Sequence, residues 1–327
     1  MLHTGGTLMM RGGDPSPLRP EVYTSDLRTE LPVLDRIADI ETRILFNHDS
    51  ADLQPHHWVD LAGAVHSALL ETPRFDGVVV VHGTDTMAYT ASALAFLLRG
   101  LDRPVVLTGA QRPLAEVRTD ARSNLVDACQ LATLDVPEVG VAFSARLLRG
   151  CRTVKMDAWA LDAFGSPSCA PLVELGVTVQ RGMHVLPARA AEPFDARIEP
   201  RVLAVRVFPG LDPKLLSGAL RTDVRGIVLE GYGAGNIPRL ENSLIPVVRE
   251  AHARDIPVVI VSQCPRGAVD LGRYEGGAEA LHEGAIGAGT MTAEAALAKL
   301  MIVLGRADGN RIDAARTSFG ECWAGEC

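Results

Sequence analysis

The sequence predicts an α/β fold in two parts: a larger N-terminal three-layer α/β domain and a smaller C-terminal Rossmann-like α/β domain. Short runs of branched aliphatic residues alternate with stretches of helical periodicity, as expected for parallel strands covered by crossover helices. The strongest run, Val78-Val79-Val80-Val81, leads through His82-Gly83-Thr84-Asp85-Thr86-Met87 into an apolar helical stretch over residues 88–98. At 327 residues the chain also exceeds the size at which a single core usually stops growing. A weakly periodic, proline-containing interval over residues 176–200 marks a boundary. The expected division is an N-terminal domain over 1–185, a linker over 186–200 and a C-terminal domain over 201–327.

The elements follow in order. Met1-Leu2-His3 runs directly into Thr4-Gly5-Gly6-Thr7, leaving almost no room for a strand, so a first strand lacking part of its length is expected. Residues 10–30 are rich in Gly, Pro, Arg and Ser and read as an exposed, mobile loop able to close over a pocket. Trp58, Leu61, Ala62, Val65, Leu69 and Leu70 keep helical spacing, and a strand follows over 75–81. Residues 104–107 read as a strand ending in Thr108-Gly109-Ala110-Gln111-Arg112-Pro113, residues 124–134 as a helix and 139–143 as a strand. Beyond the boundary, strands are expected at 201–208, 226–229 and 257–261, with helices at 242–254 and 292–304. No internal repeat is visible.

Composition narrows the function classes. Lys and Arg total 32 against 40 Asp and Glu, a formal charge of -8, which disfavours nonspecific binding to nucleic acid or to an anionic membrane. No apolar segment is long enough to span a bilayer, and no basic-plus-hydrophobic leader opens the chain, so a cytoplasmic location is expected. The six cysteines, at 129, 151, 169, 264, 322 and 327, form no CxxC pair, and their density fits a reduced protein. Cys151 and Cys264 read as core or subunit-contact residues. His3, His48, His56, His57 and His66 fit no metal-binding pattern, and neither a P-loop nor a GxGxxG fingerprint is present, so no metal and no cofactor are expected.

Several polar motifs remain. Thr4-Gly5-Gly6-Thr7 allows a tight turn that exposes the Thr7 hydroxyl, either as a turn residue or for chemistry. Thr84-Asp85-Thr86 either caps the following helix or presents a hydroxyl and a carboxylate at a strand end. Lys155 is either a surface lysine with a buried stem or the base that a hydroxyl needs for activation. Asp49-Ser50-Ala51-Asp52 forms an Asx or Ser turn, or presents Ser50 to a small polar ligand. Gly231-Tyr232-Gly233-Ala234-Gly235-Asn236 follows a strand and either binds phosphate or holds Asn236 toward a neighbouring site. Thr290-Met291-Thr292-Ala293-Glu294 reads as a capped helix start, and His82 as a satisfied buried histidine.

Taken in order, Thr4-Gly5-Gly6-Thr7, His82-Gly83-Thr84-Asp85-Thr86-Met87, Thr108-Gly109-Ala110-Gln111 and Lys155 resemble the bacterial-type L-asparaginases, especially the cytosolic type I branch. Asp120-Ala121-Arg122-Ser123-Asn124-Leu125, Phe164-Gly165-Ser166-Pro167, the segment 231–236 and Gln263-Cys264 extend the resemblance over essentially the whole chain. The resemblance implies hydrolysis of the side-chain amide of L-asparagine to L-aspartate and ammonia without a cofactor. Thr7 would be the nucleophile, with Thr84, Asp85 and Lys155 relaying protons and activating water. Asp49, Ser50, Thr84, Asp85 and Ala110 would contact the substrate. The family forms homodimers or homotetramers, with Asn236 the candidate contribution from a partner subunit. Type I members carry a lid tyrosine as Gly-Tyr-x-Pro, whereas Ser16-Pro17-Leu18-Arg19-Pro20 puts Leu18 there and leaves Tyr23 as a possible substitute. Alternatives are a broader glutaminase-asparaginase, which differs only in tolerating one more methylene, and a non-catalytic amino-acid sensor or assembly protein. The related protein that transamidates glutamyl-tRNA is not expected, because the chain suggests neither an added domain nor a tRNA partner.

Overall fold

The computed structural model describes residues 1–13, 16–20, 30–71, 74–190 and 192–327, with the backbone alone at 9–13 and 16–20. Two compact units emerge, Met1–Phe194 and Asp195–Cys327, each with its own sheet.

The first unit contains β1 (Leu2–Gly5), β2 (Met10–Gly13), β3 (Ser16–Pro20), β4 (Arg43–His48), β5 (Val78–Val81) and β6 (Val105–Thr108). It continues with β7 (Val139–Phe143), β8 (Arg146–Arg149), β9 (Val154–Lys155), β10 (Phe164–Gly165), β11 (Val173–Leu175) and β12 (Val179–Arg181). One 8-stranded sheet has the order β12-β11-β8-β7-β6-β5-β1-β4. From β7 to β4 its strands are parallel, and β8, β11 and β12 continue it antiparallel. Every residue of β5, β6 and β7 is buried. Burial on both faces explains why their sequences are continuously aliphatic and not alternating.

Helices α1 (Pro55–Leu70), α2 (Met87–Leu97) and α3 (Ala121–Leu131) accompany this sheet. On α1 the buried stripe is Trp58, Leu61, Ala62, Val65 and Leu69, as the spacing predicts, whereas Leu70 is exposed. Apart from Tyr89, every residue of α2 is buried, which its apolar character all round the axis requires. The β7–β8 turn places Ser144 and Ala145 at φ 50° and 59°. That is the left-handed pair a two-residue hairpin needs, here without the usual Asn-Gly.

Leu2–Gly5 forms a short strand, an interior one between β5 and β4, where the sequence left almost no room for one. The described part of the 10–30 segment is a hairpin of β2 with β3, not a loop. Leu18 lies on β3, while its side chain and all of Tyr23 fall outside the described residues.

The second unit has a parallel sheet of β13 (Val202–Arg206), β14 (Gly226–Gly231), β15 (Val258–Ser262) and β16 (Ile286–Gly287), in that order. Helices α4 (Pro213–Ala219), α5 (Ile245–Ala253), α6 (Glu275–His282), α7 (Ala293–Arg306) and α8 (Arg311–Phe319) complete it. Ile227, Leu229, Val258 and Ile260 from the sheet pack with Leu216, Val248 and Ala280 from the helices. Thr292 caps α7 by accepting from the Ala295 N–H, as its motif predicts. Among the described residues of the chain, no helix is long and apolar enough to cross a membrane.

The segment after α8 folds back onto α7. Cys322 and Cys327 form a disulfide, which corrects the fully reduced reading of the cysteines. Both are brought together by a short turn around Glu326, a closure that no CxxC spacing signals. Lys299 and Glu326 are fully buried and paired at 2.5 Å. Lys299 Nζ also donates to the Glu321 carbonyl at 2.8 Å and lies 4.7 Å from the centre of the Trp323 ring. Burial opposes ionisation of Glu326, but the Lys299 charge and the Trp323 and Ala324 N–H groups outweigh it and hold the carboxyl below its usual range.

A buried charge left without its partner is far more damaging than an absent pair. Lys299→Met is therefore expected to destabilise the second unit by about 3–5 kcal/mol. The double change Lys299→Met with Glu326→Leu is expected to recover part of that loss. Urea unfolding of the three proteins checks this, and equal stabilities would contradict the pairing.

Candidate active site

Five parallel strands arranged as β4-β1-β5-β6-β7 form a doubly wound sheet whose winding reverses between β1 and β5. Ligands bind such sheets beyond the carboxyl ends of the strands at that reversal. The polar motifs lie there in spatial order. Asp49 and Ser50 follow β4, Thr7 follows β1, Thr84 and Asp85 follow β5, and Ala110 and Gln111 follow β6.

The turns after β1, β4 and β5 meet at Gly83. A Cβ on Gly83 would lie 2.5 Å from Ser50 Oγ and 2.6 Å from Ser50 Cβ. From the other side, a Cβ on Gly6 would fall on the Gly83 backbone, and Gly6 itself has φ +93°. Only glycine meets both demands at residue 6. This contact sets the half-buried Thr7, which begins a short 3-10 turn over Thr7–Met9, beside the Thr84 turn. Buried Leu8 anchors the turn, its carbonyl accepting from the Leu114 N–H at 3.1 Å. Thr4 points inward and donates to the Val81 carbonyl at 3.0 Å, a structural role.

Lys155 reaches across from the β9–β10 hairpin. Its Nζ lies 2.9 Å from Thr84 Oγ1 and 2.6 Å from Asp85 Oδ1. The Lys155 side chain is 20% exposed and that of Asp85 63% exposed. Lysine, hydroxyl and carboxylate are thus joined, and the carboxylate stays open to an incoming group. The capping alternative for this motif fails. Thr86 occupies the N-cap of α2 without a side-chain cap bond, its hydroxyl donating instead to the Ser50 carbonyl at 2.7 Å.

Asp49 accepts from the Ala51 N–H at 3.0 Å and caps the 3-10 turn over Ser50–Asp52. Ser50 is 2% exposed and Ala110 fully buried. Asn236 belongs to the second unit, where its backbone pairs with Tyr232. Among the described residues its buried Oδ1 has no hydrogen-bond partner, so the glycine-rich loop itself leaves this side-chain acceptor unsatisfied. Among the described residues no group of three His, Cys, Asp or Glu side chains converges as metal ligands.

Sequence reasoning missed three supports. Asp120 accepts from the Gln111 N–H at 3.0 Å, the Arg112 N–H at 3.1 Å and Asn124 Nδ2 at 3.1 Å. Asn124 in turn donates to the Gly109 carbonyl at 3.0 Å and accepts from the Ser144 N–H at 3.2 Å. Gln111 itself bonds the Thr84 hydroxyl at 3.1 Å. The signal was present in the Asp120–Asn124 spacing of i, i+4, but its targets are the turn after β6 and the β7–β8 turn, which that spacing does not name.

The two protein-family comparisons agree with this arrangement. A model described as Asparaginase, N-terminal matches residues 1–185, and one described as Glutaminase/Asparaginase C-terminal domain matches residues 201–319. The fold is that of an α/β amidohydrolase, and the chain belongs to the asparaginase family. Its relatives include the L-asparaginase of Thermococcus kodakarensis, 44% identical over 270 residues, covering 82% of this chain and 80% of that protein. L-asparaginase 1 of Escherichia coli K12 is 39% identical over 259 residues, covering 78% and 75%. A component of the glutamyl-tRNA(Gln) amidotransferase of Methanothermobacter thermautotrophicus is 36% identical over 340 residues, covering 100% and 76%. The solved thermostable L-asparaginase from Thermococcus kodakarensis superposes with a TM-score of 0.90 at 39% identity, covering 99% of this chain and 97% of that one.

His82 is structural, as its surroundings predict. The Gly83 carbonyl can only accept, so Nδ1 donates to it at 2.7 Å and Nε2 accepts from the Thr90 hydroxyl at 2.9 Å. Complete burial lowers its pKa from the ordinary 6.5 to about 4. Between these values the unfolded chain binds a proton that the folded one does not, so the stability present above pH 6.5 is lost as pH falls toward 4. Through this group, a change from pH 7 to pH 5 is expected to lower stability by on the order of 1–2 kcal/mol. Urea unfolding at both pH values checks it: His82→Gln should show a flatter acid dependence than the wild type, and identical slopes would contradict the assignment.

Proposed function

We propose that this chain is an L-asparagine amidohydrolase that works through a threonyl acyl-enzyme. The observation that carries the reading is Lys155 Nζ, 2.9 Å from Thr84 Oγ1 and 2.6 Å from Asp85 Oδ1, on the turn adjoining Thr7. In this reading Thr7 Oγ attacks the side-chain amide carbon and passes its proton to the Thr84–Lys155 group. The C–N bond then breaks, and the leaving nitrogen departs as ammonia with a proton supplied through the Thr84–Lys155 group. Water, deprotonated by the same group, attacks the acyl carbon and releases L-aspartate with Thr7 regenerated. Backbone donors near Thr84 polarise the carbonyl as negative charge develops on it. Ser50 and Asp85 hold the α-carboxylate and α-amino groups, with Asp49 and Ala110 shaping the same pocket.

The proposal extends to organisation. Residues 1–185 form the catalytic domain, 186–200 the linker and 201–327 the C-terminal domain. The enzyme assembles as a cytoplasmic homodimer or homotetramer in which Asn236 serves a partner's site, and its unsatisfied buried Oδ1 supports a role outside its own loop. Neither nucleic acid nor cofactor takes part.

Ammonia release from L-asparagine and L-glutamine, measured side by side, tests the reading. The wild type is expected to favour asparagine, and Thr7→Ala and Lys155→Ala are each expected to lose on the order of a thousandfold or more in kcat. Comparable turnover of glutamine would make it the broader glutaminase-asparaginase. Release unaffected by Thr7→Ala would overturn the acyl-enzyme.

A further inference from the structure

We propose that Gln111 is a positioning residue that fixes the direction of the Thr84–Lys155 hydrogen bond, an inference that rests on the amidohydrolase reading above. Its side-chain amide has two contacts: one end lies 3.2 Å from the Ala160 carbonyl oxygen and the other 3.1 Å from Thr84 Oγ1. A backbone carbonyl can only accept, so the group facing Ala160 is Nε2 and the group facing Thr84 is Oε1. Oε1 in turn can only accept, which obliges the Thr84 hydroxyl to donate its proton to Gln111. The lone pairs of Thr84 Oγ1 are thereby left to Lys155 Nζ, which donates at 2.9 Å. The chain of donation runs one way, from Lys155 to Thr84 to Gln111 to the Ala160 carbonyl.

Both ends of this chain are held. Asp120 grips the Gln111 and Arg112 N–H groups, fixing the main chain from which the amide projects. Ala160 sits in a turn built on Asp157, whose Oδ1 accepts from the Trp159 N–H at 2.6 Å and the Ala160 N–H at 2.8 Å. Those Ala160 and Trp159 bonds hold the Asp157 carboxyl below its usual range. Thr84 is 5% exposed, which leaves little opening for water to replace Gln111 as acceptor. A hydroxyl parked in this way keeps its lone pair on the lysine in every resting molecule. It swings off Gln111 only when a substrate group offers a better acceptor.

Two variants test the assignment, with thermal melts confirming that each is folded. Gln111→Met keeps the length but neither accepts from Thr84 nor donates to Ala160. Its kcat is expected to fall about tenfold to a hundredfold with KM within about twofold of wild type, as for loss of orientation and not of binding. Gln111→Glu keeps an acceptor for Thr84 and loses only the donor to the Ala160 carbonyl, so its kcat is expected to recover severalfold over that of Gln111→Met, a rescue that a merely packing role would not show. A folded Gln111→Met enzyme with wild-type kcat, or a folded Gln111→Glu enzyme no more active than Gln111→Met, overturns the inference alone, provided the wild type shows Thr7-dependent turnover. A wild type that releases no ammonia from L-asparagine overturns the parent reading and this inference with it.

Discussion

The site depends on one steric constraint, the meeting of three strand-end turns at Gly83. Ser50 packs against it from the β4 side, and Gly6 packs against it from the β1 side. Any side chain at residue 83 would displace Ser50, and any at residue 6 would collide with backbone. Close approach of main chains is what brings groups from β4, β1 and β5 into one small volume. His82 and Thr90 then tie that point to α2 through bonds of 2.7 and 2.9 Å. The strand ends are therefore set by a rigid buried helix and not by flexible loops, which is how a scaffold holds reacting groups in register.

Around this fixed point the polar groups are arranged by direction of donation as much as by charge. Lys155 contributes a multiple donor, Thr84 both accepts and donates, and Gln111 ends the sequence with an amide whose orientation a carbonyl decides. Asp85 shares Lys155 yet remains largely exposed, so one carboxylate serves the lysine and still faces solvent. The supporting shell of Asp120, Asn124 and Asp157 spends its acceptors mainly on backbone N–H groups, and the Asn124 amide goes to the Gly109 carbonyl and to Asp120. These bonds shape the loops and leave the central hydroxyls to each other.

The second unit solves a different problem. Its four parallel strands carry an ordinary aliphatic core, and its last helices are locked by a charge pair without solvent contact. The Cys322–Cys327 disulfide closes the turn whose N–H groups, together with Lys299, satisfy Glu326. Each buried polar atom in that closure has a partner, which is the condition under which such a pair is tolerated.

By itself, the sequence determined the alternation of strands and helices, because burial on both faces demands continuous runs such as Val78–Val81 and one-sided burial leaves the stripe of α1. It also determined which polar residues stand just past strand ends, since glycine turns and hydroxyl pairs such as Gly5-Gly6-Thr7 and Gly83-Thr84 are local signals. Tertiary structure alone decided that the Thr84 hydroxyl bonds Lys155 and Gln111 instead of capping α2, that Asp120 shapes the turn after β6, and that Lys299 meets Glu326. It also decided that Leu2–Gly5 is an interior strand and that Ser144-Ala145 adopts a left-handed turn. Each of these rests on contacts between residues far apart in the chain or on a conformation enforced by neighbouring strands, and local propensity carries no information about a partner's position.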